Sequence, residues 1–167
     1  MSPTRPPDAT ATVAVRVDAA PAVAFAAFTE DLDQWWRRGP KYRHAGHAGT
    51  IHLEPWVGGT LYESWHDATG AHRFTLGTVL AFEPGRHLRF SWRNATFAPT
   101  ESTEVDVTFT AAGDGTLVTV RHFGWEALRP DHPARHGQDD RELARAVGMW
   151  WAEQCHALRA RLQPPTA

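Results

Sequence analysis

Cysteine, lysine and long apolar runs are scarce in this sequence. Cys155 is the only cysteine among 167 residues, so no intrachain disulfide can form and no zinc site can rest on several thiolates. No segment approaches the run of about 18 apolar residues that a membrane helix needs. The first residues, MSPTRPPDATA, lack the apolar core of a signal peptide. These absences predict a cytoplasmic protein without a membrane partner.

Charge of one sign is not concentrated anywhere. The net charge is −2, and the 17 basic residues, of which only Lys41 is a lysine, are scattered. A nucleic-acid partner is therefore not expected. The sequence has ten histidines, but His44, His47, His52 and His66 fall on a loop and on neighbouring strands, with no HExxH motif. We expect neither a metal nor a cofactor.

Large aromatic side chains are abundant instead, with eight tryptophans and eight phenylalanines. Hydrophobic residues make up 42% and charged residues 22% of the chain, which is typical of a globular protein. Residues 1–10 are rich in proline and threonine and are predicted to form a disordered tail. Residues 11–163 are predicted to form a single domain.

The N-terminal part of this domain predicts one strand and two short helices. Valines at every second position of 12–17 indicate a half-buried strand. Pro21 suits the first turn of a helix, for which Asp18 is a plausible cap. Thr29, followed by three acidic residues, is expected to cap a second short helix that ends near Trp36.

Six strands and a long helix follow a polar loop at 37–49. Alternating patterns predict strands that begin near Ile51, Leu61, His72, Leu88, Glu104 and Thr116. Because short turns such as Gly113-Asp114-Gly115 join them, the sheet should be an antiparallel meander. A helix is predicted over 138–163, with a buried stripe formed by Leu143, Val147, Trp151, Cys155, Leu158 and Leu162.

The ordered series of local motifs resembles a known superfamily. It includes Ala20-Pro21, Trp35-Trp36, the 54–59 stretch EPWVGG, Gly77-Thr78-Val79, and His122-Phe123-Gly124-Trp125 ahead of the last helix. From about Val13 to Leu162 the chain is similar to the SRPBCC (START-like) superfamily. Within it, the chain resembles the branch of homologues of the C-terminal domain of the heat-shock-protein ATPase activator. The resemblance implies an α+β helix-grip fold, in which a curved seven-stranded antiparallel sheet wraps around a long C-terminal helix in β-α-α-β6-α order.

The resemblance also implies a ligand, without selecting one. Members of the superfamily bind lipids, sterols, hormones and polyketides, and some are cyclases or aromatases. We expect a small apolar or amphipathic ligand in a cavity between the sheet and the C-terminal helix. Two alternatives stay open, namely a polyketide cyclase or dehydratase-like enzyme and an interaction module that stimulates a chaperone ATPase. A homodimer formed through the convex face of the sheet is a further expectation.

Candidate ligand-binding residues come from the inward faces of the predicted elements, and no residue is assigned a catalytic role. They are Trp36, Trp56, Glu63, Trp65, Trp92, His122 and Trp151, and Trp150 is expected to flank the opening. Glu63 shares a face with Leu61 and Trp65, so its carboxylate would pair, bond or take up a proton in an apolar pocket. The alternative is a convex face with a solvated Glu63.

His122 likewise has two interpretations. It is either a hydrogen-bonding group of the pocket or a buried structural histidine. Arg89 and Arg121 are expected to face water, and Cys155 to be a packing residue. The sequence leaves open whether the 37–49 loop closes the pocket as a lid or only forms its rim.

Overall fold

The computed structural model describes residues 9–164. The order of its elements confirms the predicted β-α-α-β6-α arrangement, with two 3₁₀ turns before the last helix. The elements are β1 (Ala11–Val17), α1 (Pro21–Thr29), α2 (Leu32–Trp35), β2 (Thr50–Leu53), β3 (Thr60–Asp67), β4 (Gly70–Glu83), β5 (His87–Trp92), β6 (Thr103–Ala112), β7 (Gly115–Phe123) and α3 (Asp140–Leu162), with the 3₁₀ turns at Trp125–Ala127 and Pro133–Arg135.

All strands join one antiparallel sheet in the order β1-β7-β6-β5-β4-β3-β2. Strands β2 to β7 therefore form a meander, and β1 returns to pair with β7 at the far edge. Register shifts in β4, opposite β3 and again opposite β5, accompany the curl of the sheet. Gly77 lies where β4 approaches β5 closely, because a Cβ there would stand 1.7 Å from the carbonyl oxygen of Ser91.

Helix α3 begins at a capping box, in which Asp139 and Glu142 bond each other's backbone N–H groups. It packs across β1, and the predicted stripe is confirmed by the burial of Leu143, Trp151 and Leu158. The sheet wraps around this helix, so the helix-grip fold is confirmed.

Aromatic side chains fill the space between the sheet and the C-terminal half of α3. The rings of Trp36 and Trp151 meet edge to face at 5.7 Å, and the ring of Trp36 lies 5.9 Å from that of Trp92. Phe28 packs on Phe109 at 5.8 Å in the same cluster. The centre of the fold is therefore occupied by the protein's own side chains.

Two predicted helix caps are wrong. The N-cap of α1 is Ala20, which makes no side-chain bond, because the carboxylate of Asp18 pairs with Arg16 at 2.8 Å instead. Thr29 is the last residue of α1, where its hydroxyl donates to the carbonyl of Phe25 at 2.9 Å. The N-cap of α2 is Asp31.

The predicted tail at 1–10 lies mostly outside the described residues. Ala9, which falls within them, is fully buried in a second apolar cluster with Phe97, Trp125 and Leu143. The packed part of the chain therefore includes residue 9, two positions before the predicted start of the domain.

Candidate functional site

A cleft of about 770 Å³ opens at one end of the sheet. One wall is the 40–44 part of the 37–49 loop, and another is the 94–96 segment that follows β5. The first half of α3 forms the third side. The rings and aliphatic groups nearest the sheet come from Phe74, Leu76, Trp92, His122 and Trp125. The cleft is thus built where strand ends, two loops and the last helix meet.

Five of the seven predicted ligand-binding residues fall into three groups. Trp92 and His122 line the cleft. Trp36 and Trp151 are fully buried and support those two side chains from the core. Trp65 is half-buried beside His44, with ring centroids 5.4 Å apart.

Trp56 requires a correction, because it does not line the cleft. It lies in the tight turn between β2 and β3, in which the N–H of Gly59 donates to the carbonyl of Trp56 at 2.9 Å. The turn projects the indole away from the core, and Trp56 is 53% exposed. An apolar residue in a turn has no periodic pattern to fix its orientation, which is why sequence reasoning misplaced it.

His122 is held by bonds at both ring nitrogens. Its Nδ1 accepts the indole N–H of Trp151 at 3.0 Å, so the ring hydrogen lies on Nε2 and donates to the hydroxyl of Thr103 at 2.7 Å. That hydroxyl in turn donates to the carbonyl of Trp92 at 3.3 Å. Burial lowers the pKa of His122 to about 3, so the ring is neutral. The structural interpretation of this histidine therefore describes it better, and a ligand would meet its ring rather than a free nitrogen.

Glu63 is buried on the concave side of β3, as its alternation with Tyr62 predicts. Only 2% of the residue is exposed, and one carboxylate oxygen accepts the backbone N–H of His44 at 2.7 Å. Burial raises the pKa of Glu63 above its usual range, and the bond from His44 opposes that shift. Glu63 does not line the cleft but fastens the loop that does.

A second buried anchor holds the same loop. The guanidinium of Arg43 contacts the carboxylate of Asp33 at 2.6 Å, and it also donates to the carbonyls of Trp36 at 2.6 Å and Arg37 at 3.1 Å. Burial raises the pKa of Asp33, but bonds from the N–H of Ile51 and from Arg43 outweigh it and lower the value. Arg43 and Glu63 together fix the base of the 37–49 loop.

The tip of the loop is fastened to α3 from outside. Glu153 accepts the hydroxyl of Tyr42 and the ammonium of Lys41, the latter at 2.9 Å, and both lower the pKa of its carboxyl. The indole N–H of Trp150 donates to the carbonyl of Lys41 at 2.8 Å. Trp150 lines the cleft as predicted. The roles of Lys41, Tyr42 and Glu153 were missed, since residues more than a hundred positions apart leave no local signal.

The remaining candidates lie elsewhere. Arg89 pairs with Glu104 at 2.7 Å on the outer face of the sheet, and Arg121 is exposed. Among residues 9–164, no three histidine, cysteine or acidic side chains converge as metal ligands would. Within the same range, no helix is long and apolar enough to cross a membrane.

The fold and the cleft define a helix-grip protein of the SRPBCC superfamily. The sequence model of the family described as "Activator of Hsp90 ATPase homolog 1-like protein" matches residues 18–162. The chain therefore belongs to that family, as the resemblance of its motifs predicted. A search of curated proteins finds no match.

Solved structures share the fold at low sequence identity. The Aha1 dimer from Colwellia psychrerythraea is 15% identical with a TM-score of 0.62, over 95% of this chain and 98% of that one. A protein from Mesorhizobium loti is 21% identical with a TM-score of 0.60, over 90% and 94%. DynU16, a protein of the dynemicin biosynthetic locus, is 22% identical with a TM-score of 0.63, over 93% of this chain and 48% of its own length. At such identities the likeness extends to the fold alone.

Proposed function

We propose that this protein binds a small apolar or amphipathic molecule in the cleft between the 37–49 loop, the 94–96 segment and the first half of α3. The observation that carries the proposal is the cleft itself, whose volume of about 770 Å³ lies in the range of small-molecule sites. The centre of the fold is filled, so the ligand would lie at the open end of the sheet rather than deep beneath the helix.

The lining suits such a ligand. Trp92 and Trp150 meet edge to face at 5.9 Å, and His44 stacks on Phe74 at 4.3 Å, so aromatic faces border the space on two sides. The charged groups of the wall are largely neutralised, because Lys41 pairs with Glu153 and Arg43 with Asp33. Apolar contact would therefore supply most of the affinity.

Native mass spectrometry combined with two tryptophan substitutions tests the proposal. Ala146 is exposed and lines the cleft, whereas Ala160 is exposed on the same helix and does not. The wild type should carry a co-purified adduct or bind the fluorescent probe anilinonaphthalene sulfonate. Ala146→Trp should weaken the binding by about tenfold or more, and Ala160→Trp should leave it unchanged. Equal binding by all three proteins would place the ligand elsewhere and reject the proposal.

A chaperone-directed function is the second candidate. The name of the family and the Aha1 dimer among its structural neighbours support it. The exposed Trp56 and Val57 offer an apolar turn to a protein partner. Addition of the protein should then stimulate ATP hydrolysis by Hsp90, and Trp56→Ala should reduce that stimulation. No change in the ATPase rate would reject this candidate.

The enzyme alternative has less support. Both nitrogens of His122 are engaged, and Glu63 lies outside the lining of the cleft, so neither offers a free acid or base to a ligand there. We therefore propose binding without assigning a reaction.

A further inference from the structure

Trp125 contains a hydrogen-bond donor that the protein leaves unused. Its indole Nε1 is shielded from solvent and has no hydrogen-bond partner among the described residues. Only 4% of Trp125 is exposed, and its ring packs against His122 at 4.7 Å and Phe97 at 6.1 Å. Buried indole N–H groups usually find a partner, because an unpaired one loses its bond to water without replacement.

Other tryptophans of this chain follow that rule. The indole N–H groups of four of them donate to a protein acceptor at 2.8 to 3.1 Å, namely those of Trp35, Trp36, Trp150 and Trp151. Trp125 lies in the wall of the cleft, as Trp150 does, and its ring packs beside that of His122. The unused donor therefore belongs to a residue of the cleft wall but is itself shielded from solvent, so a ligand acceptor reaches it only when the indole ring shifts.

Three acceptors around the cleft are, by contrast, already occupied. Nδ1 of His122 accepts from Trp151, and Oδ1 of Asn94 accepts the backbone N–H of Thr96 at 2.9 Å. Glu153, the one acidic residue in the described lining, is bound by Lys41 and Tyr42. A ligand that must donate a hydrogen bond, or that carries a positive charge, therefore finds no free acceptor among His122, Asn94 and Glu153.

We propose that Trp125 is a specificity-determining residue whose indole N–H recognises an oxygen acceptor, a carbonyl or a carboxylate, on an otherwise apolar ligand. This inference rests on the proposed binding function and narrows its ligand class. A pure hydrocarbon would leave the N–H of Trp125 unpaired. A cationic ligand needs a hydrogen-bond acceptor, whereas Trp125 offers a donor. The apolar rings hold the body of the ligand, and Trp125 fixes its orientation.

Two probes of the same shape test this inference. They are 2-acetylnaphthalene, which carries a carbonyl, and 2-isopropylnaphthalene, which does not. With the wild type, the acetyl probe should bind about tenfold more tightly. In Trp125→Phe the order should reverse, since the carbonyl would then be desolvated without a donor. Trp56→Phe is the matched control, because Trp56 is exposed and does not line the cleft, and it should keep the preference for the acetyl probe.

Nitrogen-15 labelling of tryptophan gives an independent signal. The chain has eight tryptophans, and the indole resonance that disappears in Trp125→Phe is that of residue 125. This resonance should shift on addition of the acetyl probe and much less with the isopropyl probe. If Trp125→Phe fails to fold, the comparison of the two probes' affinities for the wild-type protein still tests the inference. Equal affinity for both probes would overturn the inference and leave the binding function intact, whereas failure of both to bind would count against both proposals.

Discussion

Glu63 and His122 are buried ionisable residues and were the main candidates for an acid–base role. Their surroundings affect the charge of each side chain differently. His122 has a hydrogen-bond partner at each ring nitrogen and is neutral, so burying its side chain does not require burying a charge at ordinary pH. Glu63 accepts the N–H of His44 but is almost fully shielded from water. A buried carboxylate carries a cost whenever it is ionised. The two residues therefore have opposite consequences for the dependence of stability on pH.

Glu63→Gln should change how stability depends on pH. The folded pKa of Glu63 is raised above its unfolded value, so its contribution is fully present below the unfolded pKa and is lost as the pH rises through the folded pKa. Each unit of that difference corresponds to about 1.4 kcal/mol. Glutamine does not ionise, so the stability of the variant relative to wild type should increase with pH over the range that begins at the unfolded pKa of about 4.3. Thermal melts across this range measure the difference.

An exposed glutamate provides the control for that experiment. Glu126 lies in the first 3₁₀ turn with its side chain in water, and Glu126→Gln should follow the wild-type profile. A constant difference between Glu63→Gln and wild type at every pH would show that Glu63 is not strained by its burial.

Among the elements, the 37–49 loop is the one that defines the cleft, and buried bonds hold it at its base. Arg43 and Glu63 fix its backbone to the core, while Lys41 and Tyr42 reach Glu153 at the surface. This arrangement favours a fixed rim over a lid that opens as a unit. Only the tip, bound through exposed groups, has contacts weak enough to exchange readily.

Arg43→Ala should therefore destabilise the protein by about 3 kcal/mol, since it removes a buried cation that bonds the carboxylate of Asp33 and the carbonyls of Asp33, Trp36 and Arg37. Arg38 offers a matched control, because it contacts the same Asp33 at 3.1 Å from the surface. Arg38→Ala should cost no more than about 1 kcal/mol. Urea denaturation gives both values, and amide exchange over 37–49 should rise only in Arg43→Ala. An equal loss of stability in the two variants would contradict the conclusion that the buried Arg43 holds the loop.

The sequence predicts the helices and strands more completely than it predicts the lining of the cleft. Alternation over 61–66 and the Gly113–Gly115 turn placed β3 and the last hairpin within about one residue, because these signals are local. The bond between Tyr42 and Glu153 joins a polar loop to a distant helix, and no periodic pattern encodes it. The cleft consists of such junctions, so its lining could be predicted only for Trp92, His122 and Trp150, which follow strand or helix periodicity.

At the scale of the whole molecule, the helix-grip fold separates a packed centre from an open end. Trp36 and Trp151 fill the centre of the fold, whereas loops border the end of the sheet beyond Trp92. Loops tolerate variation better than packed elements do. Stability should accordingly depend on how closely α3 and the strands approach one another.

Two glycines at these approaches should respond in opposite directions to alanine. Gly148 lies inside α3 where the helix crosses β1, and a Cβ there would meet only the Cβ of Ala11, at an ordinary 4.0 Å. Gly148→Ala should therefore stabilise the protein by about 1 kcal/mol through helix propensity. At Gly77 the added Cβ would stand 1.7 Å from the main-chain oxygen of Ser91, which cannot move without parting β4 from β5.

Gly77→Ala should destabilise by more than about 3 kcal/mol, because the added methyl group would force the two strands apart. Chemical denaturation of both variants beside wild type measures the pair under one set of conditions. A loss of stability in Gly148→Ala would mean that α3 lies closer to β1 than the 4.0 Å contact requires. A neutral Gly77→Ala would mean that β4 and β5 can separate at this point. Each result concerns one contact, α3 against β1 for Gly148 and β4 against β5 for Gly77, because the packing leaves room for a methyl group at the first and none at the second.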